Sequence, residues 1–176
     1  AHTYTHTGKI ADGQVEYTLG LAQGASIGDR LIVTETGHTT LKSEPGIGTT
    51  ETAQAKLLLS DLLLSYENGA SETYIYELFD NEASRPRGEK EVYFGLFEQD
   101  GTPKEAAIAL HNLTTILGFG DDGTADGVLD VDFTLTGQPA DTHTMLMEKS
   151  GDVYDLVVWR DALVFNDITD TDIVNP

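Results

Sequence analysis

A leucine-rich segment with helical spacing, set between two short strand-like runs, does most to limit what this chain can become. Ala53, Leu57, Leu58, Asp61, Leu62 and Leu64 give a broad apolar face to a helix from about Thr50 to Asn68, and Asn68-Gly69 is a good stop. Before it, Leu31-Ile32-Val33 follows a Gly28-Asp29-Arg30 turn and reads as a buried strand. After it, Thr73 to Phe79 is rich in aromatic and β-branched residues and reads as another. Val92 to Phe97 follows as a further strand, then a turn at Asp100-Gly101-Thr102-Pro103 and a helix from Lys104 to about Leu117. Ile108, Leu110, Leu113 and Ile116 are expected to form the buried face of that helix. Strands separated by helices pair in parallel through crossovers, so this half reads as α/β. Two or three parallel strands do not cover their own faces and edges. We therefore expect further strands of the same sheet before Ala1, or a companion chain.

The pattern changes after Gly118. Gly118-Phe119-Gly120-Asp121-Asp122-Gly123 is a turn-rich hinge, and alternation of period two takes over beyond it. Val131, Phe133 and Leu135 form one group, Met145 and Met147 a second, and Tyr154, Leu156 and Val158 a third. Ser150-Gly151-Asp152 is expected as the hairpin turn between the last two. Three or four antiparallel strands fall short of the roughly seven in a sandwich. The division is thus 1-117, α/β, and 118-176, an all-β region that is expected to be incomplete.

Charge and composition then exclude several functions. Thirty acidic residues against ten basic ones leave a formal charge of -20 in 176 residues, which repels phosphate backbones and disfavours nucleic acid as a partner. No apolar stretch reaches the roughly 18 residues of a membrane span. There is no cysteine, so disulfides, cysteine-ligated zinc and thiol nucleophiles are excluded. The polar start from Ala1 to Gly8 lacks a signal-peptide pattern and reads as a mature or internal start; a secreted or extracellular protein is expected. Asp122-x-Thr124-x-Asp126-Gly127, with Asp130 beyond, resembles half of a calcium loop, but Phe133 stands where the bidentate Glu belongs. No metal and no cofactor are expected.

Val33-Thr34-Glu35-Thr36-Gly37 places a carboxyl group at the exit of a parallel strand, where the functional loops of α/β barrels gather. A carboxylate there can attack an anomeric carbon while a second carboxyl protonates the leaving oxygen.

The run Leu31 to Gly37 resembles the nucleophile strand of clan A glycoside hydrolases. So, in order, do Gln54-Ala55-Lys56, Tyr74-Ile75-Tyr76-Glu77-Leu78-Phe79-Asp80, Phe94-Gly95-Leu96, Asp100-Gly101-Thr102-Pro103-Lys104 and Ala106-Ala107-Ile108-Ala109-Leu110. The likeness runs from about Leu31 to Leu117 and corresponds in those enzymes to the passage from strand seven to helix eight. It implies the carboxyl-terminal portion of a (β/α)8 barrel followed by the start of an antiparallel β-sandwich. It also implies a retaining glycoside hydrolase, with Glu35 as nucleophile and a poly- or oligosaccharide as substrate. His2-Thr3-Tyr4 resembles the His-x-Tyr at the end of strand six, where the tyrosine hydroxyl supports the nucleophile. Tyr76 and Glu77 are expected beside the pocket, an aromatic face for sugar stacking and a carboxyl for hydroxyl groups. His38 is expected on the same rim.

The pattern is incomplete in one respect. The family's general acid/base lies in an Asn-Glu pair after strand four, and nothing between Ala1 and Leu31 supplies it. Asn81-Glu82 is such a pair but follows strand eight. The chain is therefore expected to carry half a site and to be inactive alone. The competing reading is a non-catalytic, acidic carbohydrate-binding or interaction module in which Glu35 only holds structure.

Overall fold

Leu31–Thr36 forms strand β1, where Ile32, Val33, Thr34 and Thr36 supply the β-branched side chains that suit extended backbone. The computed structural model describes residues 31–41, 48–81, 92–118, 132–149 and 153–174. His2, Tyr4, the segment Asp122 to Asp130, Val131 and the turn Ser150-Gly151-Asp152 lie outside the described residues.

Helix α1, Glu51–Glu67, matches the expected helix almost residue for residue because both its ends are set locally. The Thr50 Oγ1 accepts the Ala53 N–H at 3.0 Å, and Glu51 places negative charge at the positive end of the helix dipole. At the other end Asn68 donates both its backbone and side-chain N–H to the Leu64 carbonyl. Gly69, at φ 83°, then turns the chain directly into strand β2, Ala70–Ile75. β2 pairs parallel to β1, with α1 as the crossover.

Two expected strands differ from what the chain forms. β2 begins before Thr73 and ends at Ile75, because from Glu77 onward the backbone bonds elsewhere. The Glu77 N–H donates to Phe94 O at 3.3 Å, Leu96 N to Glu77 O at 3.0 Å, and Asp80 N to Phe97 O at 2.9 Å. Residues 92–97 are therefore an irregular segment laced to 77–81, with only an isolated bridge between Phe79 and Phe97. The turn at Asp100 to Pro103 forms as expected: Thr102 N donates to Asp100 Oδ1 at 2.9 Å, and Gly101 sits at φ 87°.

Helix α2, Glu105–Leu117, closes at Gly118 in the left-handed region. Its buried face is the expected one only in part: Leu110 packs against the core and Leu113 is half-buried, but the two isoleucines are not buried. Ala106 is buried and Ala107, Ala109 and Leu110 pack beside it, while Ile108 is half exposed and Ile116 is 64% exposed. Ala55, Leu58, Leu96 and Ala106, with Leu62, Ile75 and Phe97 against them, make the core under the parallel pair.

Beyond α2 the alternating residues form a hairpin, β3 (Thr142–Lys149) and β4 (Val153–Arg160), paired without slippage from Thr142↔Arg160 to Lys149↔Val153. Phe133 and Leu135 lie outside any strand. A two-residue pair, β5 (Phe165–Asn166) with β6 (Thr171–Asp172), follows. Among the described residues the β region is thus two separate two-stranded sheets. It docks on α1: Trp159 and Val164 pack against Leu57 and Leu64, and His143 stacks on Trp159 while hydrogen-bonding Glu67 at 3.0 Å.

Leu64→Ala should remove a fully buried side chain from that contact and cost about 2–5 kcal/mol. Trp159 is the chain's one tryptophan, so urea unfolding followed by its fluorescence reads the loss directly, and its emission should shift to the red.

Candidate functional site

The two parallel strands deliver their ends side by side. Tyr76 N donates to Thr36 O at 2.7 Å, and a Cβ on Gly37 would lie only 1.9 Å from Tyr76 O. Only glycine allows the chain leaving β1 to pass this close to the chain leaving β2. The Tyr76–Glu77 peptide bond is cis. Glu35 lies one residue before the contact of Thr36-Gly37 with Tyr76, and Glu77 directly after it.

Glu35 also occupies an irregular stretch of β1. Between the pairs Val33↔Thr73 and Thr36↔Ile75, β1 carries one more residue than β2. Such a slip breaks the simple alternation of faces and re-aims a side chain. Glu35 is half-buried there. Tyr76 is half-buried too, its ring edge-on to Phe94 with centroids 5.6 Å apart. Glu77 is half-buried, and its backbone N–H and C=O join the 94–96 segment.

His38 is placed differently from the expected rim. It is 5% exposed, and its Nε2 lies 2.8 Å from Asp61 Oδ2 on α1. Thr36 Oγ1 donates to the same oxygen at 2.7 Å. Gln54, two turns earlier on the same helix face, donates to the His38 carbonyl at 2.8 Å and also reaches the carbonyls of Phe94 and Gly95. His38 therefore braces the loop leaving β1 from inside.

A second buried tie holds the loop leaving β2. Lys104, 1% exposed at the N-cap of α2, places Nζ 2.7 Å from Asp80 Oδ1 and also donates to Thr40 Oγ1 and Tyr93 O. Asp80 Oδ1 in turn accepts Gly95 N at 2.7 Å. A cation at a helix N-terminus opposes the dipole. Its presence there makes sense only through these partners.

Among these, Asp61 and Lys104 carry structural roles that local patterning assigns to neither. A lone acid on a leucine face was the available signal for Asp61. For Lys104 the signal was a basic residue where a cap prefers Ser, Thr, Asp or Asn. Among the described residues no cluster of three or more His, Asp and Glu could hold a metal ion. No helix among them is long and apolar enough to cross a membrane.

Glu98 borders the Lys104–Asp80 pair. Burial raises its carboxyl above the usual range, Lys104 pulls against that, and Asp80 and Glu51 add to it.

No protein-family model matches the chain, and no curated protein matches it. Among solved structures it is similar to the β-glucuronidase of Ruminococcus gnavus, a glycoside hydrolase, at 19% identity and TM-score 0.48. The match covers 58% of this chain and 18% of that one. The same enzyme in complex with D-glucuronic acid matches at the same identity and TM-score, covering 58% of this chain and 19% of that one. The chain thus spans well under a quarter of the length of the structures it resembles.

Lys104→Met should leave Asp80 buried without its cation and destabilise by about 3–5 kcal/mol, measured by urea unfolding. Glu98 should give a pH signature. Its raised folded value means stability is greatest below the ordinary carboxylate value and falls as pH rises through the folded one. Glu98→Gln should flatten that part of the stability profile, with a gain over the parent on the alkaline side of it.

Proposed function

We propose that this chain forms the last two strands of a retaining glycoside hydrolase barrel, with Glu35 as the nucleophile. The observation that carries the reading is the locked crossing of two parallel strand ends, each bearing a carboxyl. Glu35 and Glu77 flank the contact between Thr36-Gly37 and Tyr76, at the end of the sheet where α/β barrels place their chemistry.

The chemistry follows from that placement. An oxygen of Glu35 bonds to the anomeric carbon as the glycosidic bond breaks, and the leaving oxygen takes the electron pair. A second carboxyl, from barrel strands outside this chain, protonates that oxygen. The same group then deprotonates a water that attacks the anomeric carbon, releasing Glu35 and restoring the original configuration. Tyr76 offers a ring face for sugar stacking, and Glu77 accepts hydrogen bonds from sugar hydroxyls. By the same resemblance, His2 and Tyr4 match the His-x-Tyr of those enzymes, in which a tyrosine hydroxyl supports the nucleophile through a charge-assisted hydrogen bond. The substrate is the O-glycosidic bond of a poly- or oligosaccharide. The acidic surface suits a neutral or cationic ligand better than a phosphorylated one.

The test is covalent trapping in the protein that carries the complete barrel. Incubation with 2,4-dinitrophenyl 2-deoxy-2-fluoro glycosides of the gluco, galacto, manno and xylo series should add one sugar to Glu35, located by peptide mass spectrometry. Glu35→Gln should take no label. A sugar on another carboxylate, or none with all four, speaks for a non-catalytic module instead.

A further inference from the structure

One carboxyl sits where packing alone would place a leucine. Asp61 lies on the face of α1 that buries Leu57, Leu58 and Leu64, and it is 1% exposed. Removing a carboxyl from water is costly unless partners replace the lost hydrogen bonds. Its Oδ2 takes two, from Thr36 Oγ1 and the His38 ring, while Oδ1 has no partner among the described residues. The helix does not need this residue for its own stability, since leucine propagates a helix better than aspartate.

What the arrangement does is hold the end of β1. Asp61 grips residues on both sides of Gly37, and Gln54 on the same helix face takes the His38 carbonyl. Glu35 immediately precedes the gripped Thr36 and lies within the register slip, where strand pairing alone does not decide its direction.

We infer that Asp61 is a positioning residue for Glu35, fixing through Thr36 and His38 the direction in which the irregular end of β1 presents its carboxyl. This rests on the reading of Glu35 as nucleophile. The step it governs is the first displacement. With a dinitrophenyl fluoroglycoside, a Glu35 oxygen bonds to the anomeric carbon while dinitrophenolate departs with the electron pair and needs no proton. The rate of that step depends steeply on where the attacking oxygen stands.

The experiment compares two nucleophiles in the protein with the complete barrel. Asp61→Asn should slow labelling of Glu35 by the reactive fluoroglycoside about tenfold or more. Thr36→Val, which removes one of the two bonds to Asp61, should slow it less. In a Glu35→Gly background, azide replaces the missing carboxylate and displaces dinitrophenolate from the unfluorinated glycoside. There Asp61→Asn should leave the rate unchanged, because no Glu35 remains to be aimed. Equal labelling rates in parent and Asp61→Asn overturn the role of Asp61 while leaving Glu35 as nucleophile. Equal slowing of the azide reaction also overturns it, since the site as a whole is then disturbed. If none of the four sugars labels Glu35 in the parent, the nucleophile and this inference fall together. Should Asp61→Asn not fold, Thr36→Val carries the same comparison in both backgrounds.

Discussion

The hydrogen bonds that converge on Asp61 Oδ2 are the constraint from which the rest of this arrangement follows. They fasten the end of β1 to α1 at a point where sheet pairing has already become irregular. With that end fixed, Gly37 can pass against Tyr76, and the two strand exits meet. The Lys104–Asp80 pair does the corresponding work for the chain leaving β2, tying it to the start of α2 and to Thr40. Both ties are nearly free of solvent, where a hydrogen bond gains strength and a broken one leaves a costly orphan. A site that depends on side-chain placement benefits from that all-or-none behaviour.

One helix serves three surfaces at once. Ala55 and Leu58 of α1 face α2 and the core beneath the parallel pair, and Leu57 and Leu64 face Trp159 and Val164 of the β region. Gln54 and Asp61 face the strand exits. This explains why the leucines of α1 spread over more than one narrow stripe: they meet covering segments on two sides. It also couples the β region to the candidate site, because the helix that positions Thr36 and His38 is the one on which the hairpin rests.

Much of this was legible where the physics is local. The helix α1 lies where its spacing, Thr50 cap and Asn68-Gly69 stop put it, and the Asp100 to Pro103 turn forms from its own residues. The β3–β4 hairpin follows the alternation of Met145, Met147, Leu156 and Val158. Less legible was the segment 92–97, whose apolar residues read as a strand. Its backbone groups bond to 77–81 in an irregular lattice, a choice made by residues distant in sequence. Ile108 and Ile116 read as core by periodicity, yet α2 docks through Ala106, Ala107, Ala109 and Leu110, a face chosen by its contact with α1 and Leu96.

Sequence by itself determined the succession of β1, α1, β2 and α2, the parallel sense of the two strands, and the position of Glu35 at a strand exit. Those follow from periodicity, capping and the geometry of a crossover, which act over a few residues. Only the tertiary structure decided that His38 turns inward, that Asp61 holds it, that Lys104 is buried on Asp80, and that β1 slips register beside Glu35. Each of these matches a polar group with a partner far along the chain, and burial rewards such a match only when the intervening segments have already folded to bring the two together.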